Sequence, residues 1–334
     1  MSVKHNDQIA NLAKRARIVA ALRRFLDDRG YLEVETPCIV QAPGQDPHLR
    51  CFQVLDARGN PVGYLRTSPE HAAKRLLSRG FPRLYELSKV FRDEPRSMFH
   101  QPEFTLLEFY GTGLGTNELK EEMTALIRAA AGITARDMKI QVDDISLDFS
   151  ARPLTISIGE ILEEELGIDW RSHSTAEDLM EAAKPRGIDF DGIQWTFDQV
   201  FSKLMLEVVE PSLPLDRMVF LDGFPASQAS YAKLLATDPG IADRFELYIG
   251  GIELANAFSE LNDPVEQRRR FEKWIEERRN EGGPDYPIDE DFLDELSNMP
   301  NAAGAALGID RLVMLLTGKR DLVEVISFPA GSNG

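Results

Sequence analysis

The chain is poor in cysteine and in positive charge, and it has no long apolar run. Its two cysteines, Cys38 and Cys51, are too few for a disulfide framework and lack the paired spacing of a zinc site. No stretch approaches the roughly eighteen consecutive apolar residues of a membrane span. Residues 1–14 are polar and mixed in charge, unlike the basic-then-apolar order of an export signal. These absences point to a protein of the reducing cytoplasm with no membrane partner. Lys and Arg number 38 against 55 Asp and Glu, a net charge of −17. That balance disfavours a large nucleic-acid interface, which depends on clustered cations at phosphates. The most basic stretches, 14–24 and 267–279, read as solvated helix faces.

What is present is ample material for a core: 334 residues, 43% of them hydrophobic. Ile9, Leu12, Ala16, Val19, Leu22, Phe25 and Leu26 recur at helical spacing, which predicts a helix over about 7–28, ended by Gly30. Alternation over 31–35 suggests a strand that Pro37 stops or places at an edge. Arg58-Gly59-Asn60-Pro61 reads as a hairpin turn. Ser68 is a candidate cap for the next helix, with Pro69 at its first position, Glu70 favourable to the helix dipole, and Gly80 at its close. Residues 84–91 and 104–110 look like two strands joined by a charged loop. From about 116 to 213 the text turns to helical segments with acidic surfaces, read as an insertion within one catalytic domain that spans 1–334. Strand patterns return at 218–221 and 245–252, and helices follow over about 264–281 and 310–316.

Three groups of residues can do chemistry. Phe91-Arg92-Asp93-Glu94 is followed closely by His100-Gln101-Pro102-Glu103-Phe104. An arginine fixed on a strand offers a phosphate its rigid fork of donors, a loop glutamate accepts from an exocyclic amine, and a phenylalanine gives a base a flat face. Read singly, Arg92 could instead pair with Glu94 and Phe104 could be core. In the segment 304–311, small residues allow a strand to approach a ligand, and Arg311 falls in the first turn of a helix aimed back at it. In 251–261, Glu253 and Glu260 face one site only if a bend or bulge intervenes, because their separation is odd. Carboxylates beside two arginines can hold Mg²⁺ on phosphates or bind a substrate ammonium.

Taken in order, these segments resemble motifs 1, 2 and 3 of the class II aminoacyl-tRNA synthetases, and within that class the lysyl-tRNA synthetase branch. The matching text is 30–37, Thr67-Ser68-Pro69-Glu70, 91–110, 253–261 and 304–316, so the likeness covers nearly the whole chain. It implies an α+β fold with a six- or seven-stranded antiparallel sheet flanked by helices, usually dimeric, using ATP and Mg²⁺. Arg92 and Arg311 would be the catalytic arginines. Glu94, Glu103 and Phe104 would seat adenine, with Asp93, His100, Gln101, Leu254 and Gly308 completing the ATP set. Glu253 and Glu260 would be the metal candidates. Ser68, Pro69, Glu70, Glu108, Tyr110, Asn256, Phe258, Glu260 and Ala306 would form the amino-acid pocket. Gln101 stands where these families usually carry an asparagine.

Motif 1 begins almost at residue 7, which leaves no room for an N-terminal anticodon-reading barrel. The chain therefore resembles the elongation factor P lysine ligases, truncated paralogues that join (R)-β-lysine to a lysine of that factor. The loop 224–230, Phe-Pro-Ala-Ser-Gln-Ala-Ser, looks like the ligase version, and Ala306 replaces a synthetase glycine. Elongation factor P is the partner this resemblance implies, and tRNA is not. Other readings are a minimal lysyl-tRNA synthetase, an ammonia-dependent amide synthetase and a non-catalytic regulatory paralogue. The retained Arg92, Glu253 and Arg311 argue against the last.

Overall fold

In the computed structural model, residues 3–329 are described, apart from 47–48, 174 and 193–194. The first amphipathic segment forms helix α1, Val3–Asp27. Its Ile18, Leu22 and Leu26 are fully buried. Gly30 then turns the chain at φ 76°, a conformation that costs glycine little. Helix α2 is Glu70–Ser78, with Pro69 just outside it rather than at its first position. Ser68 still serves its start, since its Oγ accepts from the Glu70 N–H at 3.0 Å. The other helices that frame the site are α3 (Thr116–Thr134), α4 (Pro264–Asn280), α5 (Glu290–Leu296) and α6 (Ile309–Leu316).

The main sheet has eight strands. In chain order they are β1 (Leu32–Glu33), β2 (Arg83–Phe91), β3 (Glu103–Thr112), β4 (Leu154–Ser157), β5 (Val219–Asp222), β6 (Arg244–Ile249), β7 (Ile252–Ser259) and β8 (Ala302–Gly308). Their spatial order is β1-β2-β3-β8-β7-β6-β5-β4. The six central strands are antiparallel, and β1 and β4 add in parallel at the two edges. The sheet is thus wider than the six or seven strands expected. Strand β4 lies inside the segment read as helical, where four residues are too short to give a periodic signal.

One face of the sheet carries Leu107, Phe109, Leu247, Ala255, Ala257 and Ala305, which pack with α1, α3 and α6 in the largest apolar cluster. Helix α3 therefore belongs to the principal core. The helices from Ile158–Leu166 to Phe197–Leu204 instead build a second cluster, with Val219, Leu221 and Tyr248. A third cluster joins α2, α4 and α5 around Tyr110 and Tyr231. On the opposite face of the sheet, direct cross-strand pairing aligns Glu86, Glu108, Ala306, Asn256 and Glu246 in one row. Residues paired this way project to the same side, so the pairing itself lays the chemistry across the sheet.

Candidate active site

A cavity of about 560 Å³ opens on that polar face, and its lining includes Arg92, Ser68, Glu70, Glu108, Asn256 and Ala306. Ala306 sits between Glu108 and Asn256 on the neighbouring strands. Two residues back along β8 and on the same face, Gly304 lies between Tyr110 and Phe258. A Cβ on Gly304 would come within 2.2 Å of the Tyr110 ring and 2.6 Å of Glu260 Oε1, so only glycine leaves room for both side chains. Pro69 is buried at the start of α2 and also lines the cavity, as does Phe258.

The amino-acid residues expected from the sequence converge. Ser68 Oγ donates to Glu108 Oε1 at 2.5 Å, and Tyr110 Oη donates to Glu108 Oε2 at 2.6 Å. Glu108 is nevertheless pushed up to about 7, by burial first and then by the charge of Glu70. Glu260 is 1% exposed and is pushed up to about 8 by burial, which the Lys74 charge opposes without cancelling. Neither of its oxygens receives a well-directed hydrogen bond. Its close contact is an ion pair with Lys74 Nζ at 2.6 Å. A buried carboxylate short of donors, as Glu260 is, is a group prepared for a cation.

Arg92 follows β2, and its N–H donates to the Pro102 carbonyl at 2.9 Å. Its guanidinium lies 5.1 Å from the centre of the Phe104 ring, and its buried Nε has no partner among the described residues. No ion pair to Glu94 is formed among the described residues. Arg311, in the first turn of α6, donates to the carbonyls of Glu253 at 2.7 Å and Phe99 at 3.2 Å. Its third nitrogen meets His100 Nε2 at 2.8 Å. Burial first, then the Arg311 charge, lowers His100 below its ordinary value. Gln101 is buried, and its Oε1 has no partner among the described residues.

Some expected residues lie elsewhere. Glu103 is exposed and pairs with Lys89 at 3.4 Å. Asp93 is exposed, Glu94 is half-buried, and Leu254 packs in the core on the far face. Gly308 precedes α6, beside the Leu254 carbonyl. The pairing of β6 with β7 shifts so that Tyr248 faces Glu253 and Leu247 faces Ala255, which makes Leu254 the extra residue of a bulge. The bulge brings Glu253 to the polar side, as its sequence position required. Glu260 does not share its surroundings, however: it lies past the end of β7 with Lys74. The carboxylates that meet Glu253 electrostatically are Glu210 and Glu246, the latter pushed up to about 7 by burial and then by Glu253.

Among the described residues, no three His, Cys, Asp or Glu side chains form a closed metal cage. Glu246 and Glu253 still fit Mg²⁺, which takes few protein oxygens and completes its shell with water and phosphate. A buried carboxylate raised by a like charge is stabilised by a divalent cation, and Arg244, at 2.6 Å from Glu246, is its closest counter-charge here.

Sequence reading missed three features. Glu246 was detectable, since Arg244, Glu246 and Tyr248 alternate with the core residues Phe245, Leu247 and Ile249. Lys74 stands four residues after Glu70, a spacing that reads as an ordinary exposed helix pair. The third is a chain of contacts on the cavity wall. His71 Nδ1 lies 3.2 Å from Asp289, and Nε2 lies 3.0 Å from Tyr231 Oη. Because a carboxylate only accepts, Nδ1 carries a proton toward Asp289. Although burial opposes it, the His71 contact holds Asp289 below its ordinary value.

Comparison with known proteins agrees with this geometry. The family model for class II tRNA synthetases (D, K and N) matches residues 1–332. The chain belongs to the class II tRNA synthetase family. It is 40% identical over 331 residues to the elongation factor P–(R)-β-lysine ligase of Yersinia enterocolitica, covering 97% of this chain and 96% of that one. The proteins of the same name from Sodalis glossinidius and Proteus mirabilis are each 39% identical, covering 96% of this chain and 95% of theirs. The β2–β3 hairpin with Arg92, and β8 with α6 and Arg311, both lie within the matched residues. Among the described residues, no helix is long and apolar enough to cross a membrane.

Proposed function

We propose that the chain uses ATP to activate (R)-β-lysine, or lysine, as an aminoacyl-adenylate and passes it to a lysine side chain of elongation factor P. The observation that carries this reading is one cavity lined both by Arg92, with its unpartnered Nε, and by the buried carboxylate Glu108 with Glu70. An arginine suits phosphate and carboxylate oxygens, and the carboxylates suit ammonium groups. Uncharged or acidic amino acids would leave those carboxylates uncompensated.

In this reading the substrate carboxylate attacks the α-phosphorus, an acyl–phosphate bond forms, and pyrophosphate leaves. A carboxylate is already ionised, so the step needs positioning and charge neutralisation rather than a general base. Arg92 supplies positive charge at the reacting phosphate. Arg311, fixed by two backbone carbonyls and in contact with His100, would supply positive charge at the far phosphates. Glu246 and Glu253 would hold Mg²⁺, which when bound neutralises and orients the phosphates. A neutral lysine amine then attacks the activated carbonyl and displaces AMP.

The relatives' shared name supports elongation factor P as acceptor, and the net charge of −17 disfavours tRNA. Such an acceptor places the reaction in the cytoplasm. Exposed Ile9 on α1 and Leu32 on edge strand β1 support a homodimer through motif 1. ATP–pyrophosphate exchange with lysine and with both β-lysine enantiomers tests the activation step. Exchange is expected with (R)-β-lysine above the others, and none with any of the three would refute it.

A further inference from the structure

Lys74 is the most deeply buried cation of the site. Its side chain has no exposed surface, and Nζ lies 2.5 Å from Glu70 Oε1, 2.6 Å from Glu260 Oε2 and 4.6 Å from the centre of the Tyr231 ring. It is thus tied to two of the carboxylates to which the proposed function gives the substrate's ammonium groups. In each, one oxygen is engaged by Lys74 and the other remains for a ligand. We infer that Lys74 is a positioning residue that tethers Glu70 and Glu260 and sets the pocket's charge for a substrate with two ammonium groups. This rests on the reading of the cavity as a diamino-acid pocket.

The charge count supports it. Glu70 from α2, Glu108 from β3 and Glu260 beyond β7 are three carboxylates; Lys74 offsets one and leaves two negative charges for two ammonium groups. Of the other charged groups nearby, Glu86, directly cross-strand from Glu108, is matched by Arg66 at 2.7 Å, and Arg92 lines the same cavity as the cation assigned to the phosphates. Tyr110 and Tyr231 are held well above their ordinary values by burial and the neighbouring carboxylates, so both stay neutral. His71 is turned toward Asp289, and Lys233, which also feels Glu260, lies at the rim bonded to Asn301. Lys74 itself stays charged: burial disfavours its ammonium, but Glu260 and Glu70 outweigh that and raise it. Without Lys74, Glu70 and the buried Glu260 would lose their fixed partner, and Glu260 would hold its proton to higher pH.

The same arrangement makes binding of a dication release protons. Glu108 and Glu260, raised to about 7 and about 8, hold protons near neutrality and must lose them to face ammonium groups. Amino-acid affinity therefore rises as pH climbs through that range.

The test is ATP–pyrophosphate exchange with lysine across about pH 6 to 9, comparing the intact chain with Lys74→Met. The wild-type KM for lysine should fall through pH 7 to 8. In Lys74→Met that limb should move up by about one pH unit or more, with KM at neutral pH raised about tenfold and KM for ATP within about twofold. A weaker KM on an unmoved limb would mean that Lys74 only supports packing, and would overturn the inference, as would an unchanged KM. Should the variant fail to fold, calorimetry of lysine binding to the wild-type chain in two buffers of different ionisation enthalpy decides it. Net proton release at neutral pH is expected, and none would overturn it. A chain that binds lysine with proton release but catalyses no exchange would keep this inference and sink the proposed reaction.

Discussion

Ala306 lies directly opposite Glu108 across the pairing of β8 with β3, and both line the cavity. The methyl group stands beside a carboxylate expected to face a substrate ammonium, so it restricts where the amine can sit. Ala306→Gly should raise kcat/KM for lysine relative to (R)-β-lysine by about tenfold or more, within the roughly 1 to 3 kcal/mol that a methyl-sized difference supplies. Competition between the two amino acids in pyrophosphate exchange measures it directly. An unchanged ratio would remove Ala306 from the determinants of substrate choice.

Gly304 makes the opposite demand. With a Cβ 2.2 Å from the Tyr110 ring and 2.6 Å from Glu260, Gly304→Ala must displace one of them. The amino-acid KM should rise at least about tenfold while the ATP KM stays within about twofold. Equal losses for both ligands would show that the strand itself had been disturbed.

The two arginines should separate in their effect on the fold. Arg92 makes no side-chain hydrogen bond or ion pair among the described residues, whereas Arg311 ties Phe99 and Glu253 together. Either change to alanine should lower exchange by about a hundredfold to a thousandfold, the usual cost of one such charge donor. Only Arg311→Ala should also lower the melting temperature measurably, since it frees two backbone carbonyls. Near-normal exchange in Arg92→Ala would contradict the phosphate role.

Glu246 gives a pH test of stability. Its carboxyl rises from 4.5 unfolded to about 7 folded, so the fold favours the protonated form. That contribution is fully present below pH 4.5 and is lost as pH rises through about 7. Glu246→Gln never ionises there, so without Mg²⁺ it should melt higher than wild type at pH 8, with little difference near pH 4. It should also need more Mg²⁺ for exchange. A variant that melts lower at pH 8 would mean that the carboxylate is satisfied without a cation.

Much of the site was legible because its residues sit in long, strongly patterned segments. The β2–β3 hairpin and α6 stood where periodicity and turn chemistry placed them, while α2 begins at Glu70, one residue after the Pro69 expected to open it. What escaped depends on contacts between distant segments. Lys74 reads as a surface partner of Glu70 until Glu260 closes over it from the end of β7. Asp289 reaches His71 only because α5 packs on α2, a contact across 218 residues of sequence. Glu260 was paired with Glu253 because both lie in one segment. The bulge at Leu254 turns Glu253 to the polar side, but the length of β7 carries Glu260 away to Lys74. Strand β4 was hidden among helices because its partner β5 is more than sixty residues away.

The most direct test of the central claim is the mass of elongation factor P after incubation with the purified chain, ATP and (R)-β-lysine. One β-lysyl addition is expected, absent when the acceptor lysine is changed to alanine, with total tRNA left unacylated in the same buffer. Charging of tRNA with no change in the mass of elongation factor P would contradict the account.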